Sequence, residues 1–205
     1  MKAVITGDVV GSRKVDTHKW MKALKNQLDK FGSSPQKWEI YRGDEFQLEI
    51  NHPEEALMAA LQLKACMKTF KNLDVRLAIG IGEREYKGSK VSQSSGSAFT
   101  NSGTRFDMLK KQKINLAISS PKQEFDQEIN LMLKLALVIM DSWSVVSAEL
   151  AQEVFANPDV LQEEIAQKFG IKQAAVSQRA NRAKLNLIRE LENYYKSKFL
   201  KILQV

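Results

Sequence analysis

Cysteine occurs once in these 205 residues and histidine twice. A lone Cys66 excludes a disulfide within the chain and any zinc cluster built on several thiolates. His18 and His52 stand far apart without companions at metal-ligand spacing, so a histidine metal site or a Ser/His/Asp triad has no footing. Any chemistry must rest on carboxylates. No apolar run approaches the roughly 18 residues that a membrane span needs. Met1-Lys2 leads straight into the strand-like Ala3 to Ile5 without an apolar leader, so the expectation is a cytoplasmic protein with no membrane partner. What is present is ordinary for a globular chain, 43% hydrophobic and 27% charged. A net charge of +7 favours a polyanionic partner, although a solvated positive surface gives the same figure. Cys66, between Ala65 and Met67 in a helical apolar pattern, reads as a packed thiol rather than a reactive one.

Ala3 to Val10 reads as a buried strand, and Thr17 to Phe31 as a helix with Trp20, Leu24, Leu28 and Phe31 on one face, stopped by Gly32. Lys37 to Tyr41 and Phe46 to Ile50 are β-prone runs around the turn Arg42-Gly43-Asp44-Glu45. Pro53 to Phe70 reads as an amphipathic helix and Asp74 to Ile81 as a strand. The order βαββαβ predicts a ferredoxin-like unit whose first and third strands lie side by side. Gly82 to Gly96 has the composition of a mobile surface loop, followed by a helix over Ala98 to Lys111 and a strand over Ile114 to Ser119. Beyond Ser120-Pro121 only helical patterns recur, with a break at Asn157-Pro158-Asp159. The expected fold class is therefore α+β: residues 1–120 as the ferredoxin-like domain, 121–205 as a helical one.

Within Gln162 to Asn181, Ile165, Ala166 and Phe169 face inward from one helix, Gly170 takes the turn, and Ile171 and Val176 close the core from a second helix. The segment resembles helix-turn-helix modules of the sigma-factor and response-regulator type. Its second helix offers Lys172, Gln173, Ser177, Gln178, Arg179, Asn181 and Arg182, a set able to bond base edges and phosphates of duplex DNA. An ordinary helical hairpin with a solvated polar face is the plainer alternative. From Leu185 to Leu203 the pattern continues with Leu187, Leu191, Tyr194 or Tyr195, and Phe199 as an apolar stripe, for docking or dimer formation.

At the other end, the first strand and the hairpin should bring Asp8 and Asp44 together, and two carboxylates can hold Mg²⁺ or Mn²⁺ beside the phosphates of a nucleotide. Thr6 to Ser12 resembles the metal-binding first strand of class III nucleotidyl cyclases, and Arg42 to Phe46 resembles the hairpin of GGDEF diguanylate cyclases. The resemblance implies metal-holding roles for Asp8 and Asp44, and nucleotide contacts from Gly11, Ser12, Arg42 and Gly43. It also implies catalytic roles for Asn101 and Arg105, which stand four residues apart on one helix face. Arg42 replaces the first glycine of the GGDEF-type turn, and Ile40 stands where many cyclases place a base-selecting Lys. Turn capping by Asp8 and Asp44 is the structural alternative. Taken whole, the chain resembles the SatD family, in which a Thr-Gly-Asp-(Ile/Val)-Val-Gly-Ser-Arg start, here Thr6 to Arg13, accompanies a C-terminal helix-turn-helix.

The function expected from these features is a homodimeric DNA-binding transcriptional regulator whose cyclase-like domain senses a nucleotide and metal or assembles the dimer. The rivals are a Mg- or Mn-dependent nucleotidyl cyclase or related phosphoryl-transfer enzyme, and a non-catalytic adaptor.

Overall fold

The computed structural model describes residues 1–202. Strand β1 (Lys2–Val10) leads to helix α1 (Thr17–Leu28), the hairpin β2 (Trp38–Tyr41) and β3 (Glu45–Ile50), helix α2 (Ala56–Lys68) and strand β4 (Asp74–Gly82). Helix α3 (Ser97–Gln112) and strand β5 (Leu116–Ser119) follow. The remainder is helical: α4 (Gln123–Met140), α5 (Val145–Ala156), α6 (Gln162–Phe169), α7 (Gln173–Ala183) and α8 (Leu185–Ile202). The five strands form one mixed sheet in the order β2-β3-β1-β4-β5, with β1 antiparallel to both neighbours and β5 parallel to β4.

The pleat sorts the sheet into two faces. Ala3, Ile5 and Val9 of β1, Phe46 and Leu48 of β3, and Val75, Leu77 and Ile79 of β4 point into the main core, against α1 and α2. That core runs unbroken from Ala3 to Phe199, taking in α4 beside β5, α5 beside α2, and the buried side of α8. The opposite face carries Thr6, Asp8, Arg76, Glu45 and Glu49, and α3 covers its β1, β4 and β5 side. Contact there is close: a Cβ on Gly80 would lie 2.2 Å from the Ser102 amide nitrogen, so only glycine lets α3 settle on β4. Thr6 and Ser102 seal the seam with a buried hydroxyl pair at 3.0 Å.

Several local expectations change. Helix α1 ends at Leu28 and a short 3-10 turn carries the chain through Phe31. Pro53 to Glu55 is likewise 3-10, and the α-helix begins at Ala56. The segment after β4 is tied down: Tyr86 and Ser95 form a β-bridge, Val91 is fully buried, and Arg84 and Lys90 pair with Glu49 and Glu39 of the hairpin. Its polar composition, which reads as mobility, instead supplies partners for the carboxylates of the sheet face that α3 leaves uncovered.

The last helix also differs from its predicted stripe. The chain breaks at Lys184, in the left-handed region at φ 54°, and α8 then buries Leu185, Ile188, Tyr195 and Phe199. Leu187 is instead exposed, and the predicted end at Leu203 lies outside the described residues. Tyr195 holds the helix in place, its hydroxyl donating to the Pro53 carbonyl at 2.6 Å. No helix among the described residues is long and apolar enough to cross a membrane.

Candidate functional site

Helix α6 begins where the Glu164 carboxylate accepts from the Leu161 backbone N–H at 3.3 Å, and it ends at Gly170. Gly170 adopts φ 62° and ψ 35°, a left-handed conformation that costs a glycine little. The Ile171 N–H then reaches back to the Ala166 carbonyl at 2.9 Å and turns the chain into α7. Ile165, Ala166 and Val176 are buried between the two helices, with Phe169 and Ile171 packed beside them. Helix α7 leans on α5, and the Trp143 indole N–H donates to the Ala183 carbonyl at 3.0 Å. These contacts hold α7 by one side only. On the other, Lys172, Gln173, Gln178, Asn181 and Arg182 are exposed, with Ser177 and Arg179 at the margin. Helix α7 contains no acidic residue, and none of these seven side chains has a hydrogen-bond or ion-pair partner among the described residues.

At the hairpin end of the sheet, register places Asp8 opposite Glu45 on β3 and Arg76 on β4. The hairpin closes through Arg42 at φ 52° and Gly43 at φ 84°, and the Val9 amide donates to the Asp44 carbonyl at 3.2 Å. Asp8 and Asp44 are thereby brought together, with distinct partners. The Asp44 carboxylate accepts from the Ser12 hydroxyl at 2.5 Å, while Asp8 Oδ2 pairs with Arg76 Nη1 at 3.0 Å. Burial raises the Asp8 carboxyl above its usual range, against Arg76 and Lys110, which lower it; the nearby charges of Asp44 and Glu45 add to the rise. Asp8 Oδ1 and Arg76 Nε are both buried without a partner among the described residues.

Arg76 is the functional candidate that motif reading misses. Its signal was a charged residue within the otherwise apolar run Val75 to Ile81. Gly11, at φ 83°, sits immediately before Ser12 at the end of β1, so that Gly11, Ser12, Arg42 and Gly43 cluster around Asp44. Asn101 and Arg105 lie elsewhere on α3. The Asn101 amide donates to the Ile81 carbonyl at 2.8 Å and anchors the helix to β4. Burial raises the Asp126 carboxyl against its hydrogen bonds from Ser120 and the charge of Arg105; Arg105 Nε and Asp126 Oδ1 are each buried without a partner among the described residues. Around the start of α3 the Ser95 amide donates to the Tyr86 carbonyl and the Ala98 amide to the Glu83 carbonyl.

Among the described residues, no three His, Cys, Asp or Glu side chains come together in a metal-holding group. The unpartnered Asp8 Oδ1 is nonetheless an acceptor without a donor, beside Asp44. A divalent ion held by two carboxylates and completed by waters and phosphates fits that donor set. Cys66 is buried, and burial pushes its thiol up to about 11, as packing rather than reactivity requires.

A five-stranded mixed sheet followed by five C-terminal helices makes this an α+β protein. The chain belongs to the SatD family, whose model matches residues 2–196. No curated protein matches it. Among solved structures, the chain is similar to the active GGEEF domain of a diguanylate cyclase from Vibrio cholerae, at 15% identity and a TM-score of 0.40. That likeness covers 60% of this chain and 83% of the cyclase domain, and at such a score it carries no functional weight.

Proposed function

We propose that the protein is a DNA-binding regulator that inserts α7 into the major groove, with α6 and α7 acting as a helix-turn-helix. The observation that carries this reading is the outward side of α7, where Lys172, Gln173, Ser177, Gln178, Arg179, Asn181 and Arg182 stand free of partners among the described residues. A set of solvated amide, hydroxyl and cationic side chains not tied to the fold can exchange water for base edges and phosphates. The test is fluorescence anisotropy of the full chain with a mixed-sequence duplex at low salt. Binding that weakens steeply as salt rises supports the reading, because phosphate contacts release counterions. Absence of binding at low salt refutes it.

A second role is favoured by the unpartnered Asp8 oxygen. The strand order β2-β3-β1-β4-β5, in which β1 lies next to the hairpin that carries Asp44, supports this reading. Asp8 and Asp44 would hold Mg²⁺ or Mn²⁺, and Arg76 and Arg42 would contact the phosphates of a bound nucleotide. The metal would neutralise phosphate charge. Asp8 is already neutralised in part by Arg76, and Asn101 is committed to Ile81, so the arrangement favours ligand binding over turnover. A ligand that prefers one arrangement of the protein shifts the population available to DNA.

A further inference from the structure

Helix α4 is apolar on the side that faces the core and on the side that faces away from it. Between Ile129 and Met140 only Asn130 and Lys134 are polar, and Asn130 is committed to both backbone groups of Ile118 on β5. The outward side carries Leu131, Leu135 and Val138 at 61%, 65% and 76% exposure. Their spacing of four and then three residues is the seam of a coiled coil. Helices that are apolar all round are ordinarily buried ones. Next to this ridge, a groove of about 420 Å³ runs between α4 and α8, lined by Met132, Ala136, Ile139, Leu187, Leu191 and Tyr194. Leu135 stands on the border of ridge and groove.

We propose that this face is a two-fold dimer interface, occupied by α4 of a second copy of the chain. A ridge and a groove side by side on one surface are self-complementary, which is what a two-fold contact requires. Antiparallel pairing of the two α4 helices sets Leu131 of one against Val138 of the other, with Leu135 near the axis. Charge at the rim agrees. Lys134 borders the ridge and Glu190 borders the groove on α8, both are exposed, and neither has an ion-pair partner among the described residues. Two-fold pairing brings each lysine toward the glutamate of the other copy, an opposite-charge match at both ends of the contact. The inference does not rest on the DNA-binding reading, and either can fail without the other.

The test is sedimentation velocity of the full chain across a concentration series reaching 100 µM in about tenfold steps, a range that brackets common dimer affinities. Wild type should dimerise. Leu135→Glu should raise the dimer Kd about thirtyfold or more, as loss of a central anchor does, with circular dichroism and melting unchanged because Leu135 is exposed in the single chain. Lys134→Glu and Glu190→Lys should each weaken the dimer, and the double exchange should regain affinity. A wild type that stays monomeric throughout overturns the proposal, including one that instead co-sediments with anionic lipid vesicles. So does a dimer indifferent to Leu135→Glu, or a charge exchange that restores nothing.

Discussion

Lys64 is fully buried on α2, and its ammonium donates to Asp74 Oδ1 at 2.8 Å and Asp141 Oδ1 at 2.6 Å. The first carboxylate opens β4 and the second follows α4, so one cation joins the sheet to the C-terminal helices. Replacing both acids, Asp74→Asn with Asp141→Asn, leaves the ammonium buried without a counter-charge. Breaking a buried pair in this way costs about 3–5 kcal/mol. Asp141 is 42% exposed and solvent screens its share, which places the loss near the lower end, at about 3 kcal/mol. For a chain of this length that is a fall in Tm of about 6–12 °C. Adding Lys64→Met removes the stranded charge and fills its space with an apolar chain, so the triple variant should recover at least about 1 kcal/mol. Thermal and urea melts of wild type, double and triple variants read this directly. A triple variant less stable than the double would refute the reasoning, because the lysine would then be stabilising without its acids.

Two other perturbations have signed outcomes. Glu49 is 2% exposed and held by Lys37 and Arg84, and although burial pushes its carboxyl up, those two partners bring it below its ordinary 4.5. Wild type should exceed Glu49→Gln in stability by about 2 kcal/mol above pH 4.5, and the difference should vanish as pH falls through the lowered folded value; a pH-independent gap in urea melts contradicts this. Asp8 shifts the other way, raised above 3.8 chiefly by burial. Relative to Asp8→Asn, wild type should gain stability as pH falls through the interval just above 3.8, and should lose that gain at neutral pH. At neutral pH, Mg²⁺ or Mn²⁺ with ATP or GTP should raise the Tm of wild type but not of Asp8→Asn or Asp44→Asn. Equal shifts in all three would remove Asp8 and Asp44 from the ligand site.

Periodicity made most elements legible, because apolar residues at spacing two or near 3.6 mark the buried side without knowledge of what covers it. Trp20, Leu24 and Leu28 of α1 and the alternating core residues of β1 are of this kind. Pairing between distant strands was harder to read. The approach of Asp8 to Asp44 followed from β1 lying next to the hairpin, but the Asp8–Arg76 ion pair depends on the register of β1 with β4, which no local pattern encodes. No glycine marks the break at Lys184, where a lysine takes the left-handed position, and the sequence pattern alone puts Leu187 rather than Ile188 on the apolar stripe of α8. The ties of Gly82 to Gly96 were illegible for a related reason: Lys90 and Ser92 find Glu39 on β2, and Arg84 finds Glu49 on β3, all far away in sequence.

Helix α1 offers a cationic surface that rivals α7 for nucleic acid, with Lys19, Lys22 and Lys25 exposed. The discriminating measurement is the slope of log K against log salt for duplex DNA binding by wild type, Arg182→Ala, and the triple variant Lys19→Ala, Lys22→Ala and Lys25→Ala. Each lost phosphate contact lowers the steepness by about 1. Contact through α7 gives a shallower slope and weaker binding for Arg182→Ala, with the α1 variant indistinguishable from wild type. An unchanged Arg182→Ala beside a flattened α1 variant would contradict it.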